Sequence, residues 1–103
     1  MATTTKVFYR GAASTTTTTT LYTTASTETA IITNIVAANT SSSAQTVTIS
    51  IDGTAVLSGV SVAANSTTAV DLKVPLISSG STKTITGGAS ATSVNLFISG
   101  VTV

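Results

Sequence analysis

The 103-residue chain predicts an all-β protein: a single antiparallel β-sandwich, jelly-roll or immunoglobulin-like in topology, built from seven to eight short strands. Three observations carry this expectation. About a quarter of the residues are threonine, and β-branched side chains favour extended backbone because a helix restricts their χ1 freedom. Several segments alternate apolar and polar residues with a period of two, the pattern of a strand with one face buried. Turn-forming Gly, Asn, Asp and Ser recur often enough to cut the chain into many short strands. One domain is expected, because two halves of about 50 residues would each bury too little surface, and without cysteine neither could be held by disulfides.

From the N-terminus, residues 1–17 read as an arm followed by a threonine-rich connector, and residues 18–103 as the sandwich. Val7 and Tyr9 alternate with Phe8 and Arg10, so residues 6–10 are expected to add as a strand to a partner's sheet edge, with Gly11-Ala12-Ala13 as the hinge. The run S-T-T-T-T-T-T-L-Y-T-T at 14–24 is expected to enter a strand over 18–24 with Leu21 and Tyr22 on opposite faces. Its first threonines form a stiff, extended connector. Ile31, Ile32, Ile35 and Val36 put apolar side chains on both faces of 29–38, as in a strand that is central or packed against a neighbouring subunit.

Q-T-V-T-I-S-I, Gln45–Ile51, alternates most cleanly, with Val47, Ile49 and Ile51 on one face. Asp52-Gly53 follows, a pair suited to the positive φ angles of a type I′ turn, with a return strand over 54–57. T-A-V-D-L-K-V at 68–74 is a further half-buried strand, expected to end at Pro75. Gly87-Gly88 reads as a β-turn, since no Walker lysine or following helix supports a phosphate loop. In the last segment Val94, Leu96 and Ile98 share one face, and Phe97, Val101 and Val103 fall on the other. V-A-A-N-T-S at 36–41 and V-A-A-N-S-T at 62–67 echo each other, and both read as Asx or Ser/Thr turns between strands.

Only seven residues are charged, Lys6, Arg10, Glu28, Asp52, Asp71, Lys73 and Lys83, for a net charge of +1. Soluble domains are ordinarily about a quarter charged, and a nearly uncharged surface favours association. Four scattered cations cannot neutralise a run of phosphates, which excludes a nucleic-acid interface. No segment has the roughly 20 apolar residues of a membrane helix, and the start has no secretory pattern, so synthesis in the cytoplasm without a signal peptide is expected.

There is no His and no Cys, which removes most nucleophilic, general-base and transition-metal arrangements. The three carboxylates read as a loop charge (Glu28), a turn residue (Asp52) and a solvated strand residue (Asp71). No catalytic, metal or cofactor residue is therefore assigned, and the chain is not expected to be an enzyme. T-x-T pairs occur, but not at one position of a regular coil, so an ice-binding solenoid is set aside. The aromatics Phe8, Tyr9, Tyr22 and Phe97 read as core or interface plugs.

The stretch L-Y-T-T-A-S-T-E-T-A-I-I-T-N-I-V-A-A-N-T-S-S-S-A-Q-T-V-T-I-S-I-D-G-T-A-V-L-S-G-V-S-V-A-A-N-S-T at 21–67 resembles small virion-associated β-domains of tailed bacteriophages. In those domains an L-Y-T-V-P-A-G-like pattern leads to I-x-N-I-V-x-x-N and T-V-T-I-S strands. G-A-S-A-T-S-V-N-L-F-I-S-G-V at 88–101 resembles their closing strand; T-T-A-S-T-E departs from the T-V-P-A-G turn. The resemblance implies a structural, non-enzymatic role in the virion: capsid decoration, with a tail, collar or fibre component, including a glycan-binding module for host attachment, as the alternative. The implied partners are other virion proteins, major capsid or tail proteins, and further copies of the chain, a trimer being favoured. The residues expected to meet partners are Val7, Phe8, Tyr9, Arg10, Tyr22, Phe97, Val101 and Val103.

Overall fold

A computed structural model describes residues 4–77 and 82–102. Eight strands follow one another: β1 (Thr4–Ala12), β2 (Thr20–Thr23), β3 (Thr29–Asn39), β4 (Gln45–Ile51), β5 (Thr54–Val62), β6 (Thr67–Ile77), β7 (Thr84–Ala89) and β8 (Val94–Thr102). They form two four-stranded sheets in the orders β1-β8-β3-β6 and β2-β7-β4-β5, with every pairing antiparallel. This is the strand order of a jelly roll, which decides between the two expected topologies.

Loop length explains the order. Asp52-Gly53 is a two-residue connection, with φ of 51° and 80°, as a type I′ turn requires, so β4 and β5 pair in one sheet. The other connections are four residues or longer, and each carries the chain across the roughly 10 Å between sheets. The echoed turns are neighbours: Asn39 N–H donates to Ser66 O and Asn65 N–H to Ser41 O. Asn39 makes the expected Asx turn, its Oδ1 accepting from Ser41 N–H at 2.9 Å, whereas Asn65 takes a positive φ of 53°.

Between the sheets lies an aliphatic core in which Ile32, Ile35, Ile49, Ile85, Leu96 and Ile98 are fully buried. Each such side chain contributes about 1.5–3 kcal/mol. The period-two faces of β4 and β8 supply it as the sequence indicates, with Val47, Ile49 and Ile51 from β4 and Val94, Leu96 and Ile98 from β8.

Several expectations are corrected. Residues 6–10 do not lie outside the sandwich: β1 pairs with β8 of the same chain, because Phe8 is buried in the core and Gly11 continues the strand rather than hinging it. Pro75 does not end its strand; β6 runs on to Ile77, tolerated because β6 is an edge and needs hydrogen bonds on one side only. Gly87-Gly88 lies inside β7. A Cβ at Gly88 would meet the backbone carbonyls of Ser14 and Thr16, so glycine is required by close packing rather than by a turn.

That packing also fixes the threonine run. Ser14 O and Thr19 O accept from Ala89 and Gly87 N–H at 2.8 and 2.9 Å, while 15–18 turn outward, exposed. The run is a loop clipped to β7 at both ends, not a straight connector, and β2 begins only at Thr20. Leu21 and Tyr22 both pack against the core, because the register shifts between Thr20 and Tyr22.

Candidate functional site

On β8 the side chains of Val94, Leu96 and Ile98 point into the core, so Phe97, Ser99 and Val101 point outward, each partly buried. Register extends each across the sheet. Phe97 lies opposite Arg10 on β1 and Val36 on β3, and Val36 opposite Ala69 on β6. The next row is Val7, Ser99, Asn34 and Asp71, and the one beyond it Thr5, Val101, Ile31 and Pro75. The outer face of this sheet thus carries apolar rows, Phe97–Val36 and Val101–Ile31, on its two central strands, separated by the polar row Ser99–Asn34. Val7, 48% exposed, extends that surface to the β1 edge.

Irregularities at one level shape this face. The register shifts between Val7 and Tyr9 on β1 and between Ile32 and Asn34 on β3, on either side of β8. Such shifts bend and twist a strand, and they flank a shallow hollow of about 400 Å³ lined by Thr5, Val7, Thr33, Phe97, Ser99 and Val101 among others. Its lining mixes apolar Val7, Phe97 and Val101 with the hydroxyls of Thr5, Thr33 and Ser99, which suits an amphipathic group.

Charge is arranged around the same face. Among the described residues the ion pairs are Lys6–Glu28 at 3.7 Å and Lys83–Asp52 at 3.6 Å. The other three charges, Arg10, Asp71 and Lys73, are exposed and all lie on β1 or β6, the two edges of this sheet. Asp71 accepts a hydrogen bond from Asn34 Nδ2 at 2.9 Å.

Val7, Phe97 and Val101 are therefore brought together, with Arg10 opposite Phe97. Phe8 is not available to a partner, since it is 5% exposed in the core. Tyr9 packs on that core and its hydroxyl donates to Ala12 O at 2.8 Å. Tyr22 meets Phe8 edge-on at 4.9 Å. Val103 lies outside the described residues. Comparison with protein-family models, curated proteins and solved structures gives no match for this chain.

Glu28, read from the sequence as a loop charge, instead holds β1 to the rest of the domain. The Tyr22 hydroxyl donates to its carboxylate, 2.7 and 2.8 Å from the two oxygens, and Ala25 N–H donates at 3.0 Å. Lys6 lies 5.1 Å from the Tyr22 ring centroid. Burial pushes the Glu28 pKa up, but the hydrogen bonds from Tyr22 and Ala25 and the charge of Lys6 outweigh it and hold the carboxyl below its ordinary value. The Tyr22 hydroxyl and then the Glu28 carboxylate hold the Lys6 ammonium above its usual range against desolvation. Burial raises the Tyr22 pKa, and the adjacent carboxylate adds to it. The cluster joins β1, β2 and the turn before β3. Its only sequence signal is a carboxylate six residues beyond a tyrosine.

Proposed function

We propose that the chain is a non-enzymatic structural protein of a tailed-phage virion, a capsid decoration or accessory protein that binds other virion proteins and itself through the outer face of the β1-β8-β3-β6 sheet. The outer face carries the reading: Ile31, Val36, Phe97 and Val101 stand in two apolar rows on its central strands, on either side of Ser99 and Asn34, where a monomer's solvated sheet would carry mostly polar residues. The resemblance over 21–67 and 88–101 supports it, and the jelly-roll order agrees with a fold used in capsid and lectin domains. Fold by itself decides no function.

Cryo-microscopy of particles from cells producing the tagged chain tests the proposal. Density for the jelly roll at the capsid surface is expected, with the β1-β8-β3-β6 face against a neighbour. Particles without the chain, or a chain bound through the opposite sheet, would overturn it. A second reading, a glycan-binding module on a tail, collar or fibre, is favoured by one observation: exposed Asn95 lies two residues from Phe97 on the same outer face. Glycan-array binding abolished by Phe97→Ser would establish that reading in place of the first.

A further inference from the structure

We infer that a second copy of this chain covers the outer face of the β1-β8-β3-β6 sheet, about a two-fold axis parallel to its strands. The inference rests on the reading of that face as a partner surface, but not on the partner particle being a virion. Arg10 lies on one edge strand and Asp71 on the other, one row apart, and neither has an ion-pair partner among the described residues.

When two such faces meet about an axis along the strands, the β1 edge of one copy lies over the β6 edge of the other. Each Arg10 then approaches the other copy's Asp71, twice by symmetry, around a centre of Phe97, Val36, Val101 and Ile31 with Ser99 and Asn34 between these two apolar rows. One row is two residues, about 7 Å of strand, within reach of an arginine side chain. Lys73 falls beyond Asp71 on the side away from Arg10's row. An axis across the strands would instead lay β6 on β6, and Asp71, near the middle of its strand, would face its own copy. A C2 interface must be self-complementary, and only the first arrangement is.

Size agrees. Four strands spaced about 4.8 Å apart and about 30 Å long present roughly 550 Å² per copy, or about 1,100 Å² in the pair, just above the roughly 1,000 Å² of a specific interface. The association is accordingly modest and concentration-dependent. It differs from the three-fold assembly that the family resemblance favours.

Sedimentation equilibrium of the purified chain at low salt, over a range of concentrations, tests this. The wild type should move from the mass of one chain towards two. Arg10→Asp and Asp71→Arg should each weaken the association at least about tenfold, since each puts like charges face to face twice. The double variant R10D/D71R should return to within about threefold of wild type. Unchanged thermal melts for all three would show that folding is not the cause, and Phe97→Ser should abolish the pair without charge reversal. A chain that stays monomeric, a mass of three chains, or reversals without loss and rescue would each overturn the inference. A pair that forms but is absent from particles would leave it standing and remove the virion proposal, and a monomer found on particles would do the reverse.

Discussion

On the β2-β7-β4-β5 sheet the outward paired positions are Thr48 with Gly88, Ser50 with Thr86 and Ala55, and Thr46 with Ser61, whereas the β1-β8-β3-β6 sheet carries Ile31, Val36, Phe97 and Val101 at its centre. Both sheets bury the same kind of aliphatic inner face. Folding explains the inner faces and, on the outer face of β7, the glycine beneath the threonine loop; it does not explain the apolar rows of the other outer face, which the proposed association would cover. The hydroxyl face suits water, with Val56 on β5 an isolated exposed apolar residue of an ordinary kind. The other face carries two apolar rows on either side of Ser99 and Asn34 and is edged by the three charges that have no ion pair among the described residues.

The largest break in this comparison comes from removing residues 1–12. Because β1 supplies Phe8 to the core and covers β8, the truncated chain should fail to give a cooperative melt, not merely fail to assemble; a normal melt would restore the reading of this segment as a detachable arm. Next, Ile98→Ala and Phe97→Ala change adjacent residues on opposite faces. Denaturant titration should show a loss of about 3 kcal/mol for Ile98→Ala and well under about 1 kcal/mol for Phe97→Ala, while only the latter impairs association without unfolding.

Gly88→Ala should cost about 1–3 kcal/mol, since the backbone of the threonine loop must move aside, and hydrogen exchange at Ala89 and Gly87 should quicken. Glu28→Gln sharpens the account of β1. The Glu28 pKa is lowered on folding, so its contribution is complete above the ordinary value of about 4.3 and is lost as pH falls through the folded value. The wild type should lose stability across that acid window, and Glu28→Gln should flatten the loss while costing about 1 kcal/mol at neutral pH. The smallest effect should come from Thr86→Ala on the hydroxyl face, within about 0.5 kcal/mol and without change in association.

These residues also show what the sequence made legible. Strand positions followed from alternation, because burial on one face imposes a period of two, and Asp52-Gly53 read correctly because a two-residue turn needs positive φ locally. Gly87-Gly88 misled because glycine serves both turns and close packing, and the crossing of the threonine loop over β7 is set by distant residues. Phe8, read as a core or interface plug and expected to meet a partner, is buried in the chain's own core, because the register shift at that point breaks the alternation the sequence shows. Val7, Phe97 and Val101 were singled out from residues far apart in the chain and meet on one face; Val36 and Ile31 complete that face, foreshadowed only by the apolar character of β3 on both sides. The Lys6–Tyr22–Glu28 cluster depends on β1 lying beside β2, which no local pattern reveals.

The absence of native cysteine permits the most direct test of the claim that one outer face, and not the other, is a contact surface. Single thiols placed by Val7→Cys on the apolar face and Ala55→Cys on the hydroxyl face are labelled in dilute and in concentrated protein. The rate at Val7→Cys should fall on concentration while that at Ala55→Cys stays constant; equal rates at both sites in both states, or protection of the Ala55 position instead, would contradict it.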